Sequence, residues 1–520
     1  MARAFAQTVA ARPDAPALID EHGTTTWKTF DERVNRLIHA LRAAGLGAGD
    51  TVALLTANRR EYFEVMAAGA HAGFSVVPVN WHWVGRELAY VIDNSDAAAL
   101  VVDDRHLPIA VEAIGRDEAA RCELRVAITD DPPAGFESYE VLLAGVSGDE
   151  PEEQSAGGPM FYTSGTTGFP KGVRSSLVPP GPDPAVLTGL AQAVLLLFGV
   201  PLDGTALLAG PAYHSAQWAF SMLPLLAGQT VVTRHRFDPA ETLAVMDEYR
   251  VTNLHLVPTQ FIRFLKLPDD VRGAFRGDAL AVAVHGAAPC PPEVKRQMLA
   301  WWGLKITEYY GGTEGGFLTI INGEEWLRKP GSVGRPTPLA EILIVKDDGT
   351  LAGQNEPGQI YFRSRTGADF HYHKDPQKTA AAHREPGVGT LGDVGYVDDD
   401  GYLFMSDRKI DMIISGGVNI YPAEIESVLV THPAVADAAV FGIPHDEMGE
   451  EVKAAVELVE GATPSDALAA ELIAHVRKNL AGYKAPRSVD FEKALPRHPT
   501  GKLYKRLLRD RYWEGTGRRI

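Results

Sequence analysis

Val34-Asn-Arg-Leu-Ile-His-Ala-Leu-Arg-Ala-Ala-Gly-Leu-Gly-Ala-Gly-Asp-Thr-Val-Ala-Leu-Leu55 joins two periodicities in one short stretch. Val34, Leu37, Ile38 and Leu41 recur at helical spacing, and Gly45 stands where a left-handed residue would end that helix. Thr51 to Leu55 is a short apolar run and reads as a buried strand. Ser75-Val-Val-Pro-Val79 and Ala98-Ala-Leu-Val-Val102 repeat the strand signal, with helix-like stretches between them. Strands alternating with helices predict an α/β fold, a parallel sheet covered by helices. The rhythm continues through Thr230-Val-Val-Thr233 and Leu280-Ala-Val-Ala-Val284. From about residue 340 it gives way to short strands and turns, such as Glu341-Ile-Leu-Ile-Val345 and Gly358-Gln-Ile-Tyr-Phe362.

The last stretch reads as a separate α+β unit. Ile425, Val428 and Leu429 form a helical stripe, and Val452, Ala454, Val456 and Leu458 alternate as a half-buried strand does. Thr463-Pro-Ser-Asp466 predicts a helix start with Thr463 as N-cap, Pro464 at N1 and Asp466 at N3. Leu468, Leu472, Ile473, Val476 and Leu480 continue that helix. The expected division is 1–406, a hinge at 407–411, and 412–520.

A chain of 520 residues exceeds what one core usually serves, so more than one domain is expected. Lys plus Arg is 50 against 67 for Asp plus Glu, and 50 − 67 gives −17, which argues against nucleic acid as the main partner. Cys122 and Cys290 form neither a disulfide framework nor a CxxC zinc pair. The N-terminus lacks a signal-peptide core, and Ala193–Leu202 is too short to span a bilayer. A cytoplasmic protein without a transmembrane segment is the expectation; a homodimer is left open.

The chemistry concentrates in Tyr162-Thr-Ser-Gly-Thr-Thr-Gly-Phe-Pro-Lys-Gly-Val173, where hydroxyls and glycines surround Lys171. Glycines let backbone N–H groups approach an anion, hydroxyls add donors and the ammonium adds charge. This composition suits a phosphate, although Pro170-Lys171-Gly172 departs from the Gly-Lys-Ser/Thr of a Walker loop. Taken alone, the segment also fits a plain surface turn. It does not stand alone. Tyr310-Gly-Gly-Thr-Glu314 groups an aromatic face, a hydroxyl and a carboxylate. Leu391-Gly-Asp-Val-Gly-Tyr396 runs into Asp400-Gly-Tyr402. Asp407 to Glu424 and Pro496-Arg-His-Pro-Thr-Gly-Lys502 follow.

In this order, these segments closely resemble the motifs of the adenylate-forming superfamily, which holds acyl-CoA synthetases, adenylation domains of nonribosomal peptide synthesis and luciferases. The acyl-CoA synthetase and fatty acid–CoA ligase branch is the nearest in pattern. The resemblance implies a large N-terminal domain of three subdomains, with parallel-rich sheets and a β-rich part, and a small mobile α+β C-terminal domain. It implies two half-reactions. A carboxylate attacks the α-phosphate of ATP with Mg2+, giving acyl-AMP and pyrophosphate. A thiol, usually that of coenzyme A, then displaces AMP.

Carried over by position, Thr163, Ser164, Gly165, Thr166, Thr167, Gly168 and Lys171 would cradle the phosphates, with Thr166 counted among the catalytic groups. Thr313 would meet the α-phosphate and Glu314 would hold the metal. Tyr310 would lie against adenine, with Gly286, Ala287 and Ala288 on the other face and Gly311 and Gly312 beside it. Asp393 would accept from the ribose hydroxyls, with Arg408 nearby. Lys502 would bridge carboxylate and α-phosphate. His214 would stand beside the acyl carboxylate, with a satisfied core histidine as the other reading. His214, Trp218, Phe220, His255 and Gly311 would line the acyl pocket. Gly416, Gly417 and Arg236 would contact coenzyme A. His371 and His373 lack a recognised metal spacing.

Two positions depart from the pattern. Ile410 stands where relatives carry a charged hinge residue, and Tyr309 stands where they usually have glycine, narrowing either the nucleotide or the acyl channel. No acid lies near His214, so an amino-acid ammonium would go unpaired there. The expected substrate is a hydrophobic carboxylic acid, medium- or long-chain or bulky and steroid-like, transferred to coenzyme A. An aryl-acid CoA ligase, an acyl-AMP ligase serving a carrier protein and a silent nucleotide-binding scaffold are the alternatives.

Overall fold

The computed structural model describes residues 3–119, 121–163, 170–175, 181, 183–408, 411–415, 418–445, 448–497 and 503–514. The helix predicted from Val34 runs from Trp27 to Ala43, with Val34, Leu37, Ile38 and Leu41 all buried. It ends as the sequence requires. Gly45 has φ 95°, its N–H bonds the Arg42 carbonyl at 2.9 Å, and Leu46 N–H reaches back to Leu41 at 3.0 Å. Only glycine takes that left-handed position without a steric cost.

The strand Thr51–Leu55 lies inside a six-stranded parallel sheet, between Ala97–Asp103 and Ser75–Pro78. A second, 14-stranded sheet carries the rest of the large domain. Its parallel part runs Ile306–Gly312, Val282–His285, Asn253–Leu256, Thr205–Leu208, Thr230–Thr233 and Pro16–Asp20. Beyond Ile306–Gly312 the pairing turns antiparallel, through Gly316–Ile321 and Ser332–Pro336 into the strands up to Arg408. That change of pattern was legible near residue 340. A three-stranded sheet, Phe370–Tyr372, Lys171–Ser175 and Phe161–Thr163, stands beside it.

The small C-terminal domain has its own sheet, in which Gly449–Leu458 pairs with Val435–His445, Ile413–Ser415 and Ser488–Glu492. Ile413, Ile425, Leu429, Val440, Val456, Leu472 and Val476 form a separate core. The helix Asp466–Asn479 corrects one expectation. Its cap is Ser465, not Thr463, and the Ser465 hydroxyl accepts from Leu468 N–H at 3.2 Å. Asp466 thereby enters the first turn, where a carboxylate meets the positive end of the helix. Among the described residues, no helix is long and apolar enough to cross a membrane.

Candidate active site

Residues that carry the sequence motifs converge at the ends of the parallel strands. Thr163 and Lys171 are cross-strand partners in the small sheet, which brings the two ends of the motif together. Ser164, Gly165, Thr166, Thr167 and Gly168 lie outside the described residues. Lys171 Nζ sits 4.8 Å from the centre of the Tyr372 ring. Burial, and then the Lys378 ammonium, pull its pKa below the usual lysine range. Tyr372 in turn donates its hydroxyl to Glu314 Oε1 at 3.1 Å. One aromatic side chain thus holds both the phosphate-loop cation and the candidate metal carboxylate.

Glu314 Oε2 faces the glycine turn, 3.5 Å from where a Cβ on Gly312 would stand. One hard oxygen at a turn fits a magnesium ion that keeps phosphate and water as its other ligands. Thr313 next to it shares a 2.9 Å hydrogen bond with Ser215. Gly311 is packed so closely that a Cβ would lie 1.9 Å from the Gly316 carbonyl oxygen, so the turn excludes any side chain there. Among the described residues, no group of three His, Cys, Asp or Glu side chains forms a metal cluster, and His373 Nδ1 accepts from Arg174 Nε at 3.2 Å.

Tyr310 donates its hydroxyl to the buried Asp393 at 2.9 Å. This places the candidate adenine ring and the candidate ribose acceptor side by side. Asp393 pairs across the ladder with Arg408. The Arg408 side chain, Ile410, Gly416, Gly417 and Lys502 lie outside the described residues. The described residues on either side of Lys502 are held to one another. Arg497 and Leu503 form an antiparallel bridge, Tyr504 N–H bonds Pro496 at 2.7 Å, and Arg497 Nη2 grips Asp437 at 2.6 Å. Burial, and after it the Tyr504 phenol, raise the pKa of Tyr213. The C-terminal domain therefore faces the segment that carries His214. Lys266 Nζ also crosses to it, bonding the Val435 carbonyl at 2.7 Å.

His214 precedes the helix Ser215–Leu226, and its loop is pinned from the first sheet. Asn58 accepts from Ala212 N–H at 2.9 Å and donates to Gly210 at 2.9 Å, while Tyr62 donates to the Ala212 carbonyl at 2.7 Å. Pro224 disrupts this helix four residues back, and Phe220 leaves helical geometry at φ −87°, ψ 15°. Phe220 then stacks on His255, with ring centres 5.2 Å apart and planes 14° apart. Trp218 packs edge-on against Phe161 at 5.7 Å. Phe198, Phe317 and Tyr309 complete an aromatic cluster, with Phe198–Phe317 at 4.8 Å and Tyr309–Phe317 at 5.0 Å.

Tyr309 and Tyr310 are consecutive in one strand, so their side chains leave opposite faces. Tyr310 goes to Asp393, and Tyr309 goes to His255 and the aromatic cluster. Tyr309 thus stands on the side of the candidate acyl residues, away from the Tyr310–Asp393 pair. Gly286 makes this possible, since a Cβ there would stand 2.7 Å from Tyr309 Cε1. Ala287, beside it, holds φ 67°, a left-handed position that costs a non-glycine residue about 1–3 kcal/mol. Such strain persists where surrounding structure enforces it, here in the turn assigned to adenine. His285, before the turn, is fully buried near the Lys295–Glu308 ion pair, and burial and then Lys295 push its pKa well down.

Arg236 is exposed, two residues before the N-cap Asp238. The basic tail is largely engaged within its own domain, with Lys505 on Glu426 at 2.9 Å and Arg511 on Glu492 at 2.5 Å. Asn58, Tyr62, Ser215, Gln217 and Tyr372 were not foreseen, because each acts through a partner distant in sequence.

The AMP-binding enzyme family model matches residues 5–369, and that of the AMP-binding enzyme C-terminal domain matches 424–502. Feruloyl-CoA synthase of Amycolatopsis sp is 35% identical over 96% of this chain and 97% of its own. The fatty acid–[acyl-carrier-protein] ligase ScoC of Streptomyces coeruleorubidus is 31% identical over 98% and 95%. Among solved structures, the amide bond synthetase McbA from Marinactinospora thermotolerans superposes with a TM-score of 0.81 at 27% identity, covering 99% of this chain and 100% of that one. Both domains, the motif order and the converging site lead to one assignment: the chain belongs to the AMP-binding enzyme family of the adenylate-forming superfamily.

Proposed function

We propose that the enzyme is an AMP-forming acid–thiol ligase that activates a compact hydrophobic, ring-bearing carboxylic acid as its acyl-AMP and passes the acyl group to coenzyme A. The observation that carries this reading is the convergence on the strand end 310–314. Tyr310 is tied to Asp393, Thr313 to Ser215, and Glu314 through Tyr372 to Lys171. Adenosine, α-phosphate and the pyrophosphate half of ATP would each find their contact along one short segment. Adenylation joins two anions, so its barrier is lowered chiefly by neutralisation and alignment.

In this mechanism Asp393 orients the ribose, Tyr310 covers adenine and Thr313 donates to the α-phosphate. Lys171 and the hydroxyls of 163–168 hold the departing pyrophosphate. Magnesium, held by Glu314, supplies further charge compensation on the phosphates. Lys502 neutralises the carboxylate and α-phosphate as they meet. A rotation about 407–411 then withdraws Lys502 and brings Gly416 and Gly417 to the thiol path, where only small residues leave room. The aromatic closure at Phe198, Phe220, Tyr309 and Phe317 supports an aryl or compact ring acid over an extended chain. A long acyl tail would have to displace Tyr309.

A second reading keeps adenylation and gives the acyl group to a carrier protein, as the printed name of the Streptomyces relative says of that protein. A panel of aryl, alicyclic and straight-chain acids assayed for pyrophosphate release, with and without coenzyme A, separates these readings. Ring acids with a CoA thioester product are expected. Turnover of straight chains only refutes the ring preference, and pyrophosphate without thioester refutes coenzyme A as acceptor.

A further inference from the structure

We propose that the Tyr309 hydroxyl is a specificity-determining donor that reads an acceptor oxygen (hydroxyl, alkoxy or carbonyl) on the far part of the acid. The inference rests on the acid-ligase reading above and on the proton order of one buried chain, Gln217–His255–Tyr309. Gln217 Nε2 lies 3.0 Å from His255 Nδ1 and 3.4 Å from the His255 carbonyl oxygen. A carbonyl oxygen only accepts, so the amide presents its NH2 group to His255. Nδ1 is then the acceptor and the ring proton resides on Nε2.

His255 Nε2 stands 3.2 Å from the Tyr309 hydroxyl oxygen. With its proton there, the imidazole donates to Tyr309, and the phenol cannot donate back. His255 is 1% exposed, and burial holds its pKa down to about 3, so the ring stays neutral and this order persists at working pH. Among the described residues, the Tyr309 hydroxyl has no other hydrogen-bond partner, and Tyr309 is only 6% exposed. A buried O–H left without an acceptor is costly, so a ligand that supplies one is favoured.

The phenol is also in the right place. Its Cζ lies 2.8 Å from the Cβ position of Gly286, and the rings of Phe198, Phe220, His255 and Phe317 pack around it. In the acid-ligase reading the acyl group lies against this aromatic cluster, and the Tyr309 hydroxyl is a donor it meets there. An acid with a matching oxygen satisfies that donor, whereas its plain hydrocarbon analogue leaves it unpaired. Sites built to hydrogen-bond a substrate group discriminate strongly against analogues that lack it.

The test compares matched acids by acid-dependent pyrophosphate release: cinnamic against 4-hydroxy- and 4-methoxycinnamic acid, and decanoic against 10-hydroxydecanoic acid. For the full-length enzyme, kcat/KM should favour the oxygenated member at least tenfold. Tyr309→Phe should bring that ratio near one. Because the ratio is taken on a single preparation, loss of folded protein cancels. Gln217→Leu removes the amide that fixes the tautomer, so His255 can accept from Tyr309, and the preference should fall there too. A ratio that Tyr309→Phe leaves unchanged overturns the proposal, as does a wild-type ratio near one. Turnover confined to the straight-chain pair refutes the ring-acid reading instead, and the effect of Tyr309→Phe on that pair still decides the role of the hydroxyl.

Discussion

Adding one methyl group at Gly286 tests whether the Tyr309 ring packs over that turn. In Gly286→Ala the new Cβ would stand 2.7 Å from Tyr309 Cε1, 2.8 Å from Cζ and 3.0 Å from the Tyr309 carbonyl oxygen. Carbon atoms in contact prefer about 3.5–4.0 Å, so close to 1 Å must be opened. The ring cannot retreat freely, because Phe317 and Phe198 stand 5.0 and 5.8 Å from it and His255 holds its hydroxyl. Overpacking of this kind costs about 1–3 kcal/mol. Truncating the ring in Tyr309→Ala leaves a cavity and costs about 3–5 kcal/mol by comparison with other large aromatics. Combined, the two changes should cost at least about 1 kcal/mol less than their sum, since the methyl then enters space the ring has left. Urea unfolding of the four proteins, compared at a common m value, measures that coupling. Additivity within about 0.5 kcal/mol would refute the placement of the ring over Gly286.

Three further outcomes are expected. Lys502→Ala should lose acyl-AMP synthesis by orders of magnitude while supplied acyl-AMP is still converted to thioester; equal loss of both half-reactions contradicts its assignment. Glu314→Gln should raise the magnesium requirement, and Tyr372→Phe should raise it by a smaller factor, about tenfold for one hydrogen bond to a charged group. A magnesium titration unchanged in both variants removes Glu314 from the site. Acid should destabilise the fold through His71 and His255, which burial holds down to about 4 and about 3. Below pH 6.5 the unfolded chain takes up these protons and the folded chain does not. Stability therefore falls as pH drops from 6.5 toward those values, by about 1.4 kcal/mol per pH unit for each histidine. Denaturant midpoints that stay level between pH 7 and 5 would contradict this.

The α/β rhythm was legible because buried stripes and short β-branched runs follow from local burial. The Val34 helix, its glycine stop and the strand Thr51–Leu55 all stand where periodicity puts them. Strand order was not legible. Pro16–Asp20 joins Thr230–Thr233 in the large sheet, a pairing between segments far apart that no local pattern encodes. The cap at Ser465 was missed because Thr463-Pro and Ser465-Asp both offer plausible starts, and only the backbone chooses.

In the site, the motif residues were readable as chemistry, but their mutual supports were not. Tyr372 looks like an ordinary strand residue until its ring lies under Lys171 and its hydroxyl on Glu314. Tyr309 stood out as an unusual neighbour of Tyr310, and the sequence left open which channel it entered. The partner of Tyr310, Asp393, separates the two tyrosines, because consecutive strand residues leave opposite faces, and Tyr309 turns to His255. The kink at Phe220 follows from Pro224 four residues later, a signal present in the sequence whose effect shows once Phe220 is seen stacked on His255.

The central claim is that this site joins a carboxylic acid to AMP and then to a thiol. The most direct measurement follows the nucleotide products of the purified enzyme with ATP, magnesium, coenzyme A and ring-bearing acids, by chromatography. The account predicts acid-dependent formation of AMP and pyrophosphate in equal amounts, with one CoA thioester per AMP, and acyl-AMP accumulating when coenzyme A is left out. Formation of ADP and phosphate, or no acid-dependent AMP from any carboxylic acid tried, would contradict it.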